Sequence, residues 1–193
     1  MVAEASVNRA MLAGASVNRA MLALRPLTAT VLVAWASIAL VGGCAGPARA
    51  PREAVLRITE IDQLGDARRQ ASMRLVVEGL DAEIASTPQR ALSRYQRAIQ
   101  IDPGNPFAYL ALARYYAAIA DPERALEHLE RTQSLLDPDG ALYRSAEPHL
   151  RGLRGWALAE AGRSADAGPL LAEASRLAPS VWRDGRLDAS ELR

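Results

Sequence analysis

Thr87-Pro88-Gln89-Arg90-Ala91-Leu92 recurs as Asp121-Pro122-Glu123-Arg124-Ala125-Leu126, a shift of 34 residues. Threonine and aspartate cap helix N-termini, and a proline next to them takes the first helical position, where an N–H has no intrahelical partner anyway. Both copies read as helix starts. In Pro88–Ile101 the apolar residues Ala91, Leu92, Tyr95, Ala98 and Ile99 share one face, with Arg90, Arg94 and Arg97 opposite. The stretch Phe107–Ile119 differs: Phe107, Tyr109, Leu110, Leu112, Tyr115, Tyr116 and Ile119 surround it, and Arg114 is its only charge. A helix apolar all round has to be covered on more than one side, as the centre of a stack would be. Alanine, leucine, arginine and glutamate dominate throughout, and β-branched runs are absent. Prolines punctuate the pattern. Pro169, like Pro88 and Pro122, falls where a first helical turn could begin, and Pro103, Pro138 and Pro179 follow apolar stripes. The expectation is an all-α chain of short helical hairpins.

A helix-turn-helix period of 34 residues resembles the tetratricopeptide repeat family. The family pattern sets Trp, Leu, Gly and Tyr in a first helix, Ala and Phe in a second, and Pro after it. Residues 72–105 give Leu75, Glu78, Gly79 and Ala82, then Ala91, Tyr95 and Pro103. Residues 106–139 give Tyr109, Leu112, Ala113 and Tyr116, then Ala125, Leu129 and Pro138. Residues 148–181 give Arg151, Arg154, Gly155 and Leu158, then Ala167, Leu171 and Pro179. Glu78, Arg151 and Arg154 depart from the apolar positions, Pro138 comes one residue late, and residues 140–147 are an insertion. The resemblance implies an α-solenoid of about three repeats over 72–181, in which small Gly79, Ala113 and Gly155 let paired helices approach closely.

Three repeats are about the minimum for a stable stack, so the ends need caps. Residues 53–71 supply one: Glu53–Leu64 reads as a helix with Val55, Leu56, Ile58 and Ile61 apolar, Gly65 as its stop, and Asp66 as the cap of the next. Trp182 is expected to fold back over the last helix. The rest of the 182–193 tail, Arg183–Arg193, reads as polar and poorly fixed.

Ahead of the repeats lies a different composition. Residues 1–43 hold one acid, Glu4, and three arginines, Arg9, Arg19 and Arg25; Pro26 to Ala48 carries no charge. The apolar run Leu27–Val41 ends in Gly42-Gly43-Cys44. A cationic start, an apolar stretch and small residues describe a signal peptide. Val41-Gly42-Gly43-Cys44 also resembles the bacterial lipobox, which implies cleavage before Cys44 and lipidation of its thiol, a durable anchor when several acyl chains are attached. Two other readings fit the same run: an uncleaved membrane helix containing an inert Cys44, or an ordinary signal-peptidase cut leaving a soluble chain. Ala5–Ala13 repeats as Ala15–Ala23, which reads as a duplication upstream of a start at Met21. Ala45 is not the aspartate of the enterobacterial inner-membrane retention signal. The lipoprotein resemblance therefore implies an envelope location, on the periplasmic face of the outer membrane where there are two membranes. Residues 44–52, with two prolines and a glycine, read as an extended lipidated tether reaching on the order of 25 Å.

Composition removes whole classes of function. The chain has 193 residues, with 23 basic against 22 acidic side chains and a single cysteine, and every basic residue is arginine. Residues 1–43 account for three arginines and one acid, leaving 20 and 21 in the 150 residues that follow, net −1. Nucleic-acid binding, which needs a clustered basic excess, is not expected. One cysteine excludes an intramolecular disulfide and multi-cysteine metal sites, and the absence of lysine excludes P-loop and Schiff-base chemistry. His128 and His149 are isolated, without metal-ligand spacing, and His128 between Glu127 and Glu130 reads as solvated. No cofactor, metal, small-molecule substrate or enzymatic activity is expected.

What remains is recognition. Tetratricopeptide arrays bind extended peptides or partner helices on the face formed by the first helix of each repeat. Carried over, this places Met73, Val76 and Leu80 in the first repeat, Phe107, Leu110 and Arg114 in the second, and Trp156 in the third along one groove. The competing reading packs Phe107 and Leu110 against neighbouring helices and puts Trp156 in the core. The expected function is a membrane-tethered adaptor for an envelope protein or peptide, in assembly of a secretion, pilus or outer-membrane complex. The alternative is a self-associating structural module, with an enzyme a distant third.

Overall fold

The computed structural model describes residues 55–193; the leader, Cys44, the whole 44–52 tether and the first two residues of the expected cap helix lie outside the described residues. The described residues form eight helices: α1 (Ile58–Ile61), α2 (Ala67–Ile84), α3 (Pro88–Ile101), α4 (Pro106–Ala118), α5 (Pro122–Leu135), α6 (Ala141–Glu160), α7 (Ser164–Leu177) and α8 (Ala189–Leu192). Helices α2–α3, α4–α5 and α6–α7 pair as hairpins, and the first helices α2, α4 and α6 also meet across repeat boundaries.

The three hairpin turns are built alike. Ser86, Ala120 and Gly162 each adopt a left-handed conformation, at φ 56°, 57° and 76°. After each, a backbone N–H reaches back to the previous helix: Thr87 to Ala82 (2.8 Å), Asp121 to Tyr116 (2.9 Å), Arg163 to Leu158 (2.8 Å). This is the Schellman cap, which satisfies carbonyls the helix end would otherwise leave open. Pro88, Pro106 and Pro122 all stand at the first helical position. Asp121 caps α5 by accepting from the Arg124 N–H. Thr87 does something else: its hydroxyl donates to the Ala82 carbonyl at 2.7 Å, closing the end of α2 instead of capping α3.

Helix α4 is the centre. From Pro106 to Ala117 only Tyr109 escapes full burial, whereas Ile119 just beyond is exposed. Asn105 ties this helix to the first repeat. Its side-chain oxygen accepts from the Phe107 N–H, and its amide nitrogen donates to Ser72 Oγ at 2.9 Å, which donates in turn to the Ala98 carbonyl. The glycines mark close approach, since a Cβ on Gly79 would lie 2.3 Å from the Tyr95 ring and one on Gly155 2.8 Å from Leu171.

Several elements depart from expectation. Residues 141–147 are the opening turns of the long helix α6, which carries Pro148 in its interior, and Pro169 likewise lies inside α7, not in its first turn. A proline inside a helix removes one backbone bond, and in α6 burial of Ala146, His149, Leu150 and Leu153 offsets that loss. The expected N-terminal cap helix is only the single turn α1. Ahead of it Arg57 is extended, and the Leu56 N–H donates to the Ser145 carbonyl. Trp182 folds back on the last repeat and is 1% exposed. The remaining tail is folded too: Leu187 and Leu192 are fully buried, and α8 packs against α2.

Candidate interaction face

Met73, Val76 and Leu80 of α2, Phe107 and Leu110 of α4 and Trp156 of α6 belong to one buried hydrophobic cluster. Met73, Val76, Leu80, Phe107, Leu110, Arg114 and Trp156 are all buried, so the face they line is not an open groove. Both ends of the folded unit cover it. Trp182 lies on Gly152 of α6, where a Cβ would meet the indole at 2.3 Å. The Arg186 guanidinium stands 5.7 Å over the Trp156 ring. Arg114 donates to the Leu187 carbonyl at 3.4 Å, and Arg193 pairs with Asp81 of α2. The Thr59 N–H donates to the Arg193 carbonyl at 3.0 Å, joining the two covering segments. The expectation of an exposed face fails because Leu187 and Leu192 give a polar tail enough apolar area to return onto it.

The centre of the face is polar. Arg114, 4% exposed, forms an ion pair with Glu83 of α2, and the Tyr95 hydroxyl donates to the other Glu83 oxygen at 2.5 Å. Burial lowers the Arg114 pKa to about 10, against a raising influence from Asp188, so the guanidinium stays charged at neutral pH. Burial also raises the Tyr95 hydroxyl far above its ordinary value, which keeps it a neutral donor. Arg114 Nε has no hydrogen-bond partner. Beside this centre, His149 is fully buried on α6, with Nε2 3.0 Å from the Leu56 carbonyl and Nδ1 without a partner. Desolvation pulls its pKa down to about 4, so it is neutral and donates through Nε2. An apolar notch of about 230 Å³ remains at one edge, lined by Ile61, Leu64, Met73, Phe107 and Leu142 among others.

A second feature lies on α4 and α5. Tyr109 and Tyr116, seven apart on α4, meet Arg124, His128 and Arg131 of α5. His128 stacks on Tyr116 at 5.3 Å, Arg124 lies over the same ring, and Arg131 lies over Tyr109. His128 is thus half-buried, not solvated, and desolvation lowers its pKa. The spacing of the two tyrosines, and of Arg124, His128 and Arg131 at i, i+4 and i+7, was the available sequence signal. A cleft of about 530 Å³ adjoins this ladder, lined by Tyr109, Glu127, His128, Glu130, Arg131 and Ser134.

Among the described residues there is no group of three or more His, Cys, Asp or Glu that could hold a metal, and no helix long and apolar enough to cross a membrane.

Stacked helical hairpins with a shared inner face define a protein-interaction solenoid. Residues 84–150, about a third of the chain, match the tetratricopeptide repeat family, and the helical hairpins there are tetratricopeptide-like repeats. The match runs from the end of α2 into α6 and so includes the whole central repeat. A search of curated proteins gave no match, and neither did a search of solved structures.

Proposed function

We propose that this protein is an adaptor, held to a bacterial membrane by lipid on Cys44, whose repeats bind another envelope protein. The family is generally a non-enzymatic protein-interaction module. The observation that carries the reading is the inner face of α2, α4 and α6, where apolar stripes surround one buried arginine. Apolar anchors around a charged hydrogen-bonding centre are the composition of a recognition surface. The leader sequence adds the anchor, and Ala45 adds the outer membrane in a two-membrane cell. Assembly of a secretion, pilus or outer-membrane complex is the setting this combination suits.

Two measurements test it. Metabolic labelling with an alkyne fatty acid should mark the wild-type chain and not Cys44→Ala, and intact mass should place diacylglyceryl on Cys44; an unlipidated membrane form overturns the anchor. Photo-crosslinking in native membranes should then trap a partner on the repeats. Sizing the lipid-free chain at several concentrations separates the self-associating alternative, which requires a concentration-dependent oligomer where the adaptor stays monomeric.

A further inference from the structure

The second helices of the three hairpins differ in charge. Helix α5 sets two arginines against three acids and α7 one against two, whereas α3 holds three arginines and no acid. Arg90, Arg94 and Arg97, at i, i+4 and i+7, form one stripe clear of the buried Ala91, Tyr95 and Ala98. Arg94 pairs with Glu78 of α2 at 3.2 Å, and Tyr95 lies against Gly79. In an antiparallel hairpin that register places Arg74, one turn before Glu78, at the Arg97 end of the stripe. Arg74, Arg90 and Arg97 are exposed, and none has a carboxylate within ion-pairing distance among the described residues. Arg97 donates only to Gln100. Four guanidiniums against the Glu78 carboxylate leave a local charge of +3, although the 150 residues after the leader sum to −1. Helix α3 packs on α2 and α4, and its arginine stripe is left to solvent.

We propose that this arginine face docks on the anionic headgroups of the bilayer that holds the anchor. Each arginine brought near such a surface adds an attraction that salt weakens. The tether makes the bilayer the occupant. Val55 follows Cys44 by 11 residues, a reach of at most about 36 Å. A folded unit of this size has a radius of gyration of only about 14 Å. Any of its faces can therefore swing to the lipid, and charge decides which one does. The approach is cationic as well, with Arg49, Arg52 and Arg57 against Glu53. A contact too weak to hold a soluble chain suffices, because the anchor keeps the face at a high effective concentration beside the lipid. Docking puts the first repeat at the bilayer and leaves the later two to meet a partner. This rests on the lipid-anchor reading and adds an orientation to it.

Arginine labelling on vesicles tests it. Residues 49–193 form a compact unit with their own core, so the chain without its leader is a folded probe. Cys44 is the sole cysteine, and residues 44–193 can be coupled through it to a maleimide lipid, whatever the cell attaches there. Phenylglyoxal modification read by mass spectrometry then reports each arginine. On vesicles containing phosphatidylglycerol, Arg74, Arg90 and Arg97 should react at least about fivefold more slowly than on neutral phosphatidylcholine. Exposed Arg183, beyond the last repeat, should react alike on both. Salt at about 0.5 M should erase the difference. Replacing the three arginines by glutamine, at exposed positions without ion pairs, should make Arg94 react alike on both lipids as well. Equal reactivity of the wild-type arginines on the two vesicles overturns the proposal, as does equal protection of Arg183. Protection by soluble polyglutamate on neutral vesicles, as strong as that by phosphatidylglycerol, makes an acidic protein the occupant and also overturns it. Should the variant lose its helices, the wild-type labelling decides alone. Protection combined with an unlipidated Cys44 in cells sinks the anchor but spares the arginine face; lipid on Cys44 without protection does the reverse.

Discussion

Gly152 and Trp182 are in direct apposition: a Cβ on Gly152 would lie 2.3 Å from Cε2 of the indole and 2.4 Å from Cδ2 and Cζ2. The clash is with the body of a ring that is itself 1% exposed, so neither partner can yield cheaply.

Gly152→Ala should therefore destabilise the chain by about 2–3 kcal/mol, despite the helix-propensity gain of nearly 1 kcal/mol that alanine brings to a helix interior. Urea unfolding checks it. Trp182→Ala together with Gly152→Ala should cost less than the sum of the two, because the clash disappears with the ring.

The hairpin turns make an opposite prediction. Ala120 holds a left-handed conformation at φ 57° that glycine adopts without penalty, and its side chain is exposed. Ala120→Gly should stabilise by about 1 kcal/mol, and Gly162→Ala should destabilise by a similar amount. A lowered midpoint for Ala120→Gly would show that the turn is relaxed as it stands.

The Arg114–Glu83 pair is buried, at 5% and 11% side-chain exposure. Arg114→Met alone leaves a buried carboxylate without its cation and should cost about 3–5 kcal/mol. Adding Glu83→Gln removes that charge while keeping an acceptor for the Tyr95 hydroxyl, and should restore most of the loss. A double mutant no more stable than Arg114→Met would mean that the arginine acts through packing alone.

His149 predicts a pH dependence. Its pKa falls from 6.5 unfolded to about 4 folded, because burial disfavours the charged ring. Between those values the unfolded state binds more protons, so stability is complete above pH 6.5 and declines as pH falls toward 4. The loss is on the order of 3 kcal/mol at the acid end. His149→Gln keeps a donor for the Leu56 carbonyl and should flatten this part of the profile. A wild-type curve that parallels the glutamine variant from pH 7 to 4 would mean that His149 does not titrate there.

The repeats were legible in the sequence because their determinants are local. The 34-residue shift that relates α3 to α5, prolines at first helical positions, the Asp121 cap of α5 and the all-round apolar character of α4 each act within a few turns of chain. Glycines 79 and 155 could be read as close-approach sites because the helices they join are neighbours in sequence. The opening turns of α6 were not legible, since Pro148 argues against a helix that only burial of its other residues sustains. The state of the inner face was not legible either. Met73 to Trp156 could be assigned to one stripe from helical spacing, but whether that stripe is open depends on where the last residues return. Leu187 and Leu192 lie in a polar tail with no period of their own, and they are buried by contacts with helices more than 70 residues earlier, such as the one between Leu187 and Arg114. The sequence by itself determined the helices, the hairpins and the stripe. Only the tertiary structure decided that the stripe is covered, because burial of a short apolar pair is a property of the surface it meets.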